Sequence, residues 1–72
     1  MSSSVLENFA KKLIKLRQER GLSQEDLALL CDIDRTYVGR IEKLKRNPSL
    51  LILQKIANGL GIKLKDLLDF EN

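Results

Sequence analysis

Seventy-two residues leave room for one hydrophobic core and no second functional module, so a single domain over residues 1–72 is expected. Hydrophobic residues make up 43% and charged residues 32%, with Phe9, Tyr37 and Phe70 as the aromatics, a composition that suits a soluble helical domain and argues against disorder. One cysteine, Cys31, and no histidine exclude an internal disulfide and the usual metal clusters, while the absence of a membrane-length apolar run or a signal-peptide pattern predicts a cytoplasmic protein without a cofactor.

Phe9, Leu13 and Leu16 recur at helical spacing, with Val5 one turn earlier, so the first amphipathic helix is expected from about residue 4 to 20, stopped by Gly21. Ser23 followed by Gln24, Glu25 and Asp26 reads as an N-cap with acidic residues in the first turn, and Leu27, Ala28, Leu30 and Cys31 are the expected buried stripe of a short second helix over 24–31. Cys31 belongs to that stripe as a small apolar residue. Asp34 is a second N-cap, after which Tyr37, Val38, Ile41 and Leu44 continue at helical spacing and predict a third helix over about 35–43.

Pro48 interrupts the pattern, and Ser49 can cap a fourth helix whose expected core stripe is Leu50, Leu53, Ile56, Ala57 and Leu60, with Gly59 and Gly61 marking its end. A last short helix over about 64–69 carries Leu64, Leu67 and Leu68. No stretch alternates with period two for long enough to argue a strand, so the fold class is all-α with five helices.

The formal net charge of +3 says little; its distribution says more. Residues 1–22 hold five basic side chains against two acidic ones. Residues 23–34 hold Glu25, Asp26, Asp32 and Asp34 without a basic partner. Residues 35–46 return Arg35, Arg40, Lys43, Lys45 and Arg46 against Glu42 alone. That last block is the expected anion-facing surface, and the lysines at 11, 12 and 15 read as a solvated helix face.

Two short helices joined by Asp32-Ile33-Asp34 must cross at a wide angle, with Ile33 at the corner and small Ala28 where the helices meet, and this makes a helix-turn-helix over about 24–43. The second helix of such a unit projects Arg35, Thr36 and Tyr37, then Gly39 and Arg40. Arginine can pair with guanine O6 and N7, threonine can bond a base or pack on thymine, and tyrosine can reach a phosphate or stack. Tyr37 serves equally well as a packing residue at the corner, and both roles stay open. The clustered carboxylates have no histidine, activated nucleophile or metal pattern beside them, so they read as helix caps and no enzyme is expected.

The run Gln24-Glu25-Asp26-Leu27-Ala28, then Ile33, Ile41-Glu42 and Arg46-Asn47-Pro48-Ser49, resembles the lambda-repressor and Cro-like helix-turn-helix family over about residues 7–68. Within it, Asp34-Arg35-Thr36-Tyr37 with the later runs is most similar to the controller proteins of restriction-modification systems. The resemblance implies a lambda-repressor-like fold and a transcriptional regulator. It implies base reading by Arg35, Thr36, Tyr37 and Arg40, and backbone contact by Ser23, Gln24, Lys43, Arg46 and Asn47. In many members glycine stands where this chain has Asp32. Arg40 is large for its place, and the pattern leaves open whether it reads a base or a phosphate.

The apolar groups after Pro48 exceed what one small core needs, so a homodimer through about residues 49–70 is expected, with Leu51, Ile52, Ile62, Leu64, Leu67 and Phe70 at the interface. Such a dimer would set two recognition helices about 34 Å apart, one turn of DNA. The expected partners are double-stranded DNA and a second copy, with RNA polymerase, through Glu25 and Asp26, a further candidate; no membrane and no small-molecule substrate are expected. A phage-type repressor, an antitoxin and a protein-interaction adaptor on the same fold remain alternative functions, because fold alone does not choose among them.

Overall fold

The computed structural model describes residues 4–70 and contains five α-helices: α1 Ser4–Glu19, α2 Gln24–Cys31, α3 Arg35–Glu42, α4 Leu50–Leu60 and α5 Leu64–Leu67. No helix among the described residues is long and apolar enough to cross a membrane. Each boundary follows from local chemistry. Gly21, at φ +64°, lets the chain leave α1 while Leu22 N donates to Arg17 O at 3.0 Å. Ser23 caps α2 through a reciprocal box: its hydroxyl accepts from Asp26 N at 3.0 Å, and Asp26 Oδ2 accepts from Ser23 N at 2.9 Å. Asp34 caps α3 by accepting from Thr36 N at 2.7 Å, and Ser49 caps α4 by accepting from Ile52 N at 3.2 Å.

The turn between α2 and α3 closes without glycine. Asp32 itself takes the left-handed conformation, at φ 57° and ψ 49°, and Ile33 N donates to Ala28 O at 3.0 Å. Aspartate tolerates this region better than most residues do. The turn therefore closes on a left-handed aspartate.

One core collects side chains from every helix: Phe9 and Leu13 of α1, Leu27, Ala28 and Cys31 of α2, Val38 and Ile41 of α3, Ile56, Ala57 and Leu60 of α4, and Leu67 of α5. The packing pairs α2 with α3 and α4, α1 with α3, and α4 with α5. Burial raises the Cys31 thiol above its ordinary value, and Sγ lies 3.7 Å from Ile56 O, which leaves it a neutral core group.

Where α2 crosses α4, Gly59 is the reason the helices can touch. A Cβ there would meet Cys31 Sγ at 2.5 Å, Cys31 Cα at 2.8 Å and Leu30 O at 2.9 Å. The sequence pattern assigned Gly59 to the helix end, but α4 runs on through Leu60 and it is Gly61, at φ 70°, that caps it.

Several expectations are corrected here. Leu30 and Leu50 were expected in core stripes, yet they are 52% and 71% exposed, because α2 enters the core through Leu27, Ala28 and Cys31, and α4 through Ile56, Ala57 and Leu60. Leu44 does not continue α3. It sits past the helix end in the left-handed region, at φ 62°, and is partly exposed. Leu67 was expected at a dimer interface but has no exposed surface: α5 is a single turn whose inward side is Leu67, so that side chain completes the protomer's own core. The first, third and fifth helices also end slightly earlier than the periodicity predicts, as frayed termini commonly do.

Candidate nucleic-acid interface

The start of α2 and the outer side of α3 form one shallow concavity, lined by Gln24, Arg35, Thr36, Gly39, Arg40 and Lys43. Arg35, Thr36, Arg40 and Lys43 are exposed, whereas Val38 and Ile41 on the opposite side of α3 are fully buried. The amphipathicity of α3 therefore does two jobs: the apolar stripe fixes the helix on the core, and the polar stripe presents hydrogen-bond donors and positive charge. Of the nine residues expected to touch DNA, five line this concavity: Gln24, Arg35, Thr36, Arg40 and Lys43.

The other four lie around it. Ser23 is exposed at the head of α2, engaged in the capping box. Tyr37 is half-buried and ties α3 to the following loop: its ring packs under the Arg46 guanidinium at 4.8 Å from the ring centroid, and its hydroxyl accepts from Ser49 N at 3.4 Å. Arg46 is thus pre-positioned beside α3. Asn47 is exposed and lies outside the concavity, at an apolar groove of about 150 Å³ lined also by Val5, Leu6, Phe9, Pro48, Leu53, Leu68 and Phe70.

Behind the concavity lies a network that sequence reasoning did not assemble. Arg17 of α1 grips Glu42 of α3 in a fork, with Nε donating to Oε2 at 2.9 Å and Nη2 to Oε1 at 3.1 Å, while Nη1 donates to Leu22 O at 2.9 Å. The Gln24 amide Nε2 donates to the same Glu42 Oε1 at 3.0 Å. The pair is largely out of solvent, at 16% exposure for Arg17 and 6% for Glu42. One signal was available: Glu42 is the lone acid among the five bases of residues 35–46, which is where an internal partner for a distant arginine would stand.

On α1, Lys12 Nζ donates to Asp69 O at 3.0 Å, and Phe70 packs on Phe9 with ring centroids 6.5 Å apart, so the segment after α5 is fastened to the first helix. Among the expected dimer residues, Leu51 is 67% exposed, and Ile52, Ile62, Leu64 and Phe70 are half-buried against the protomer's own core. Much of the apolar surplus seen in the sequence is thus absorbed internally, and Leu50 and Leu51 at the start of α4 are its most exposed remainder in this region.

Two short helices crossing at a tight turn, the second carrying exposed cations, define a helix-turn-helix protein. The chain belongs to the helix-turn-helix family, whose sequence model matches residues 13–67. It is 55% identical over 60 residues to the control protein C.MunI of a Mycoplasma species, covering 82% of this chain and 81% of that one. It superposes with a TM-score of 0.85 on the restriction-modification controller protein C.AhdI from Aeromonas hydrophila, at 43% identity and over 90% of this chain and 98% of the other. The controller C.Esp1396I, solved as a tetramer in complex with its natural 35 base-pair operator, superposes at 0.82 with 35% identity, over 92% of this chain and 91% of that one. The resemblance read from the residues is therefore shown, and so is the fold class.

Proposed function

We propose that this chain is a sequence-specific, double-stranded-DNA-binding transcriptional regulator of the restriction-modification controller type, acting as a homodimer on a pseudo-palindromic site. The observation that carries the proposal is the concavity between α2 and α3, where Arg35, Thr36, Arg40 and Lys43 stand exposed around Gln24 on a helix whose other side is locked in the core. The controllers it resembles, one of them solved on its operator, support this reading over a bare adaptor role.

In this mechanism positioning and reading are separate tasks. Arg46 is held by the Tyr37 ring, and together with Lys43, Ser23 and Asn47 it would engage phosphates. The first N–H groups of α2, which have no intrahelical partner, add to the phosphate site at Gln24. Arg35 and Thr36, with Arg40 one turn later, would then read base edges in the major groove. Tyr37 contributes chiefly by orienting Arg46. Self-association would cover Leu51 and its neighbours and repeat the reading helix one DNA turn away. Contact of Glu25 and Asp26 with RNA polymerase is a further part of the proposal, resting on their exposure alone. A regulator of this kind performs no catalysis and works in the cytoplasm.

The test is to enrich duplexes from a randomised pool with the wild-type chain, then measure binding to the enriched duplex and to the DNA upstream of the chain's own gene. An enriched palindromic consensus bound far more tightly than scrambled DNA is expected. Enrichment of no sequence would overturn the reading.

A further inference from the structure

The Arg17–Glu42 pair looks at first like a clamp between α1 and α3, but Glu42 has a third partner. A carboxylate offers only acceptors, so a glutamine amide beside it must present its NH2 end. Gln24 does so, at 3.0 Å. Its other end is thereby turned outward: Oε1 lies 3.4 Å from the place a Cβ would occupy at Gly39, inside the concavity that also holds Arg35, Arg40 and Lys43. The two ends of an amide have almost the same shape, and packing alone would scarcely choose between them. The choice is made by the buried charge, which the Arg17 fork keeps in place.

We infer that Glu42 is a positioning residue for DNA binding: by taking one amide proton of Gln24 it fixes the Gln24 carbonyl oxygen toward α3 as a hydrogen-bond acceptor. An acceptor there suits an N–H donor, either a guanidinium reaching toward the groove or the exocyclic amino group of an adenine or cytosine, and it repels a phosphate oxygen. The carbonyl end of Gln24 then works on the reading side, while its backbone N–H and the second amide proton remain as donors for a phosphate. The oxygen lies close against α3 there, within van der Waals reach of a Cβ at position 39.

This inference rests on the DNA-binding reading, and a double-mutant cycle separates the two. Affinity for the duplex enriched by the wild-type chain is measured for wild type, Gln24→Met, Glu42→Gln and the double variant, with urea unfolding of each. Glu42→Gln is expected to weaken binding roughly three- to tenfold in the wild-type background and by less than about twofold with Gln24→Met, because the effect passes through that amide. The loss of stability, by contrast, should persist in both backgrounds.

A structural role alone would weaken binding equally in both backgrounds, and that result overturns the inference; so does no effect in either. Should Glu42→Gln not fold, Arg17→Met/Glu42→Leu, which replaces the whole pair by apolar groups, takes its place in the cycle. In the free wild-type protein, NMR should show one Gln24 side-chain amide proton slow to exchange and well separated from its twin, unlike the exposed Gln18. Two equivalent, fast-exchanging protons at Gln24 would also overturn it. Failure of the wild type to enrich any duplex would instead remove the DNA-binding reading.

Discussion

Replacing Gly59 by alanine sets two opposite effects against each other. In an exposed helix the substitution stabilises by about 0.8–1 kcal/mol, since alanine has the better helix propensity. Here the new Cβ would stand 2.5 Å from Cys31 Sγ, 2.8 Å from Cys31 Cα and 2.9 Å from Leu30 O. Two of these three neighbours belong to the α2 backbone and cannot rotate away, so α4 must move off α2 by about half an ångström or more to restore ordinary contact. That movement loosens the layer formed by Leu27, Ala28 and Cys31 against Ile56, Ala57 and Leu60. Overpacking of this kind costs about 1–3 kcal/mol, and with two backbone atoms inside 3 Å the upper part of that range, about 2–3 kcal/mol, applies, so the net expectation after the propensity gain is a loss of about 1–2 kcal/mol. For a domain of this size that lowers Tm by roughly 4–15 °C. Urea and thermal unfolding followed by circular dichroism check the value. Adding Cys31→Ala removes only the sulfur contact, so it should restore little. A Gly59→Ala protein as stable as wild type would refute the reasoning, and full recovery on adding Cys31→Ala would place the clash on the side chain instead of the backbone.

Other substitutions separate the remaining roles. Arg35→Ala is expected to cost about 1–3 kcal/mol of DNA affinity and relax preference at one position per half-site, whereas Arg46→Ala should weaken all sequences and reduce the salt slope by about 1 per monomer; binding titrations at several salt concentrations distinguish them. Leu51→Glu falls on a side chain 67% exposed in the protomer, so unfolding should be nearly unchanged at concentrations where the protein is monomeric, while sedimentation should show the dimer lost. Asp26 is held below its ordinary 3.8 by the Ser23 N–H and hydroxyl, so the stabilisation it contributes is present above that value and disappears as pH falls through its lowered folded value. The stability difference between wild type and Ser23→Ala should accordingly narrow in acid; a difference that widens there would contradict the capping box.

The pieces legible in the sequence are those whose causes are local. Ser23, Asp34 and Ser49 cap the helices they were expected to cap, because a side-chain oxygen followed by free backbone N–H groups needs only its own neighbours. The short turn at residues 32–34 and the cationic outer stripe of α3 were equally readable, since a tight connection forces the crossing and periodicity assigns the faces. Leu30, Leu50 and Leu67 were misassigned because periodicity says that a residue shares a face and not which neighbour covers it. Leu67 went inside because it is the inward side of the one-turn α5, and Leu50 stayed outside because Ile56, Ala57 and Leu60 form the core side of α4.

The site shows the same division. Composition and spacing put Arg35, Thr36 and Arg40 on one exposed helix face, and that much the chain determines by itself through its short-range chemistry. Only the tertiary structure brings Arg17 across 25 residues to Glu42, and Gln24 across 18 to the same carboxylate. The lone acid among the bases of residues 35–46 singles out Glu42 in the sequence but names neither Arg17 nor Gln24, because a buried charge selects its partners by distance and desolvation after the helices have packed. The same holds for Gly59, which reads as a helix end along the chain and becomes, once α2 lies against α4, the place where two backbones meet.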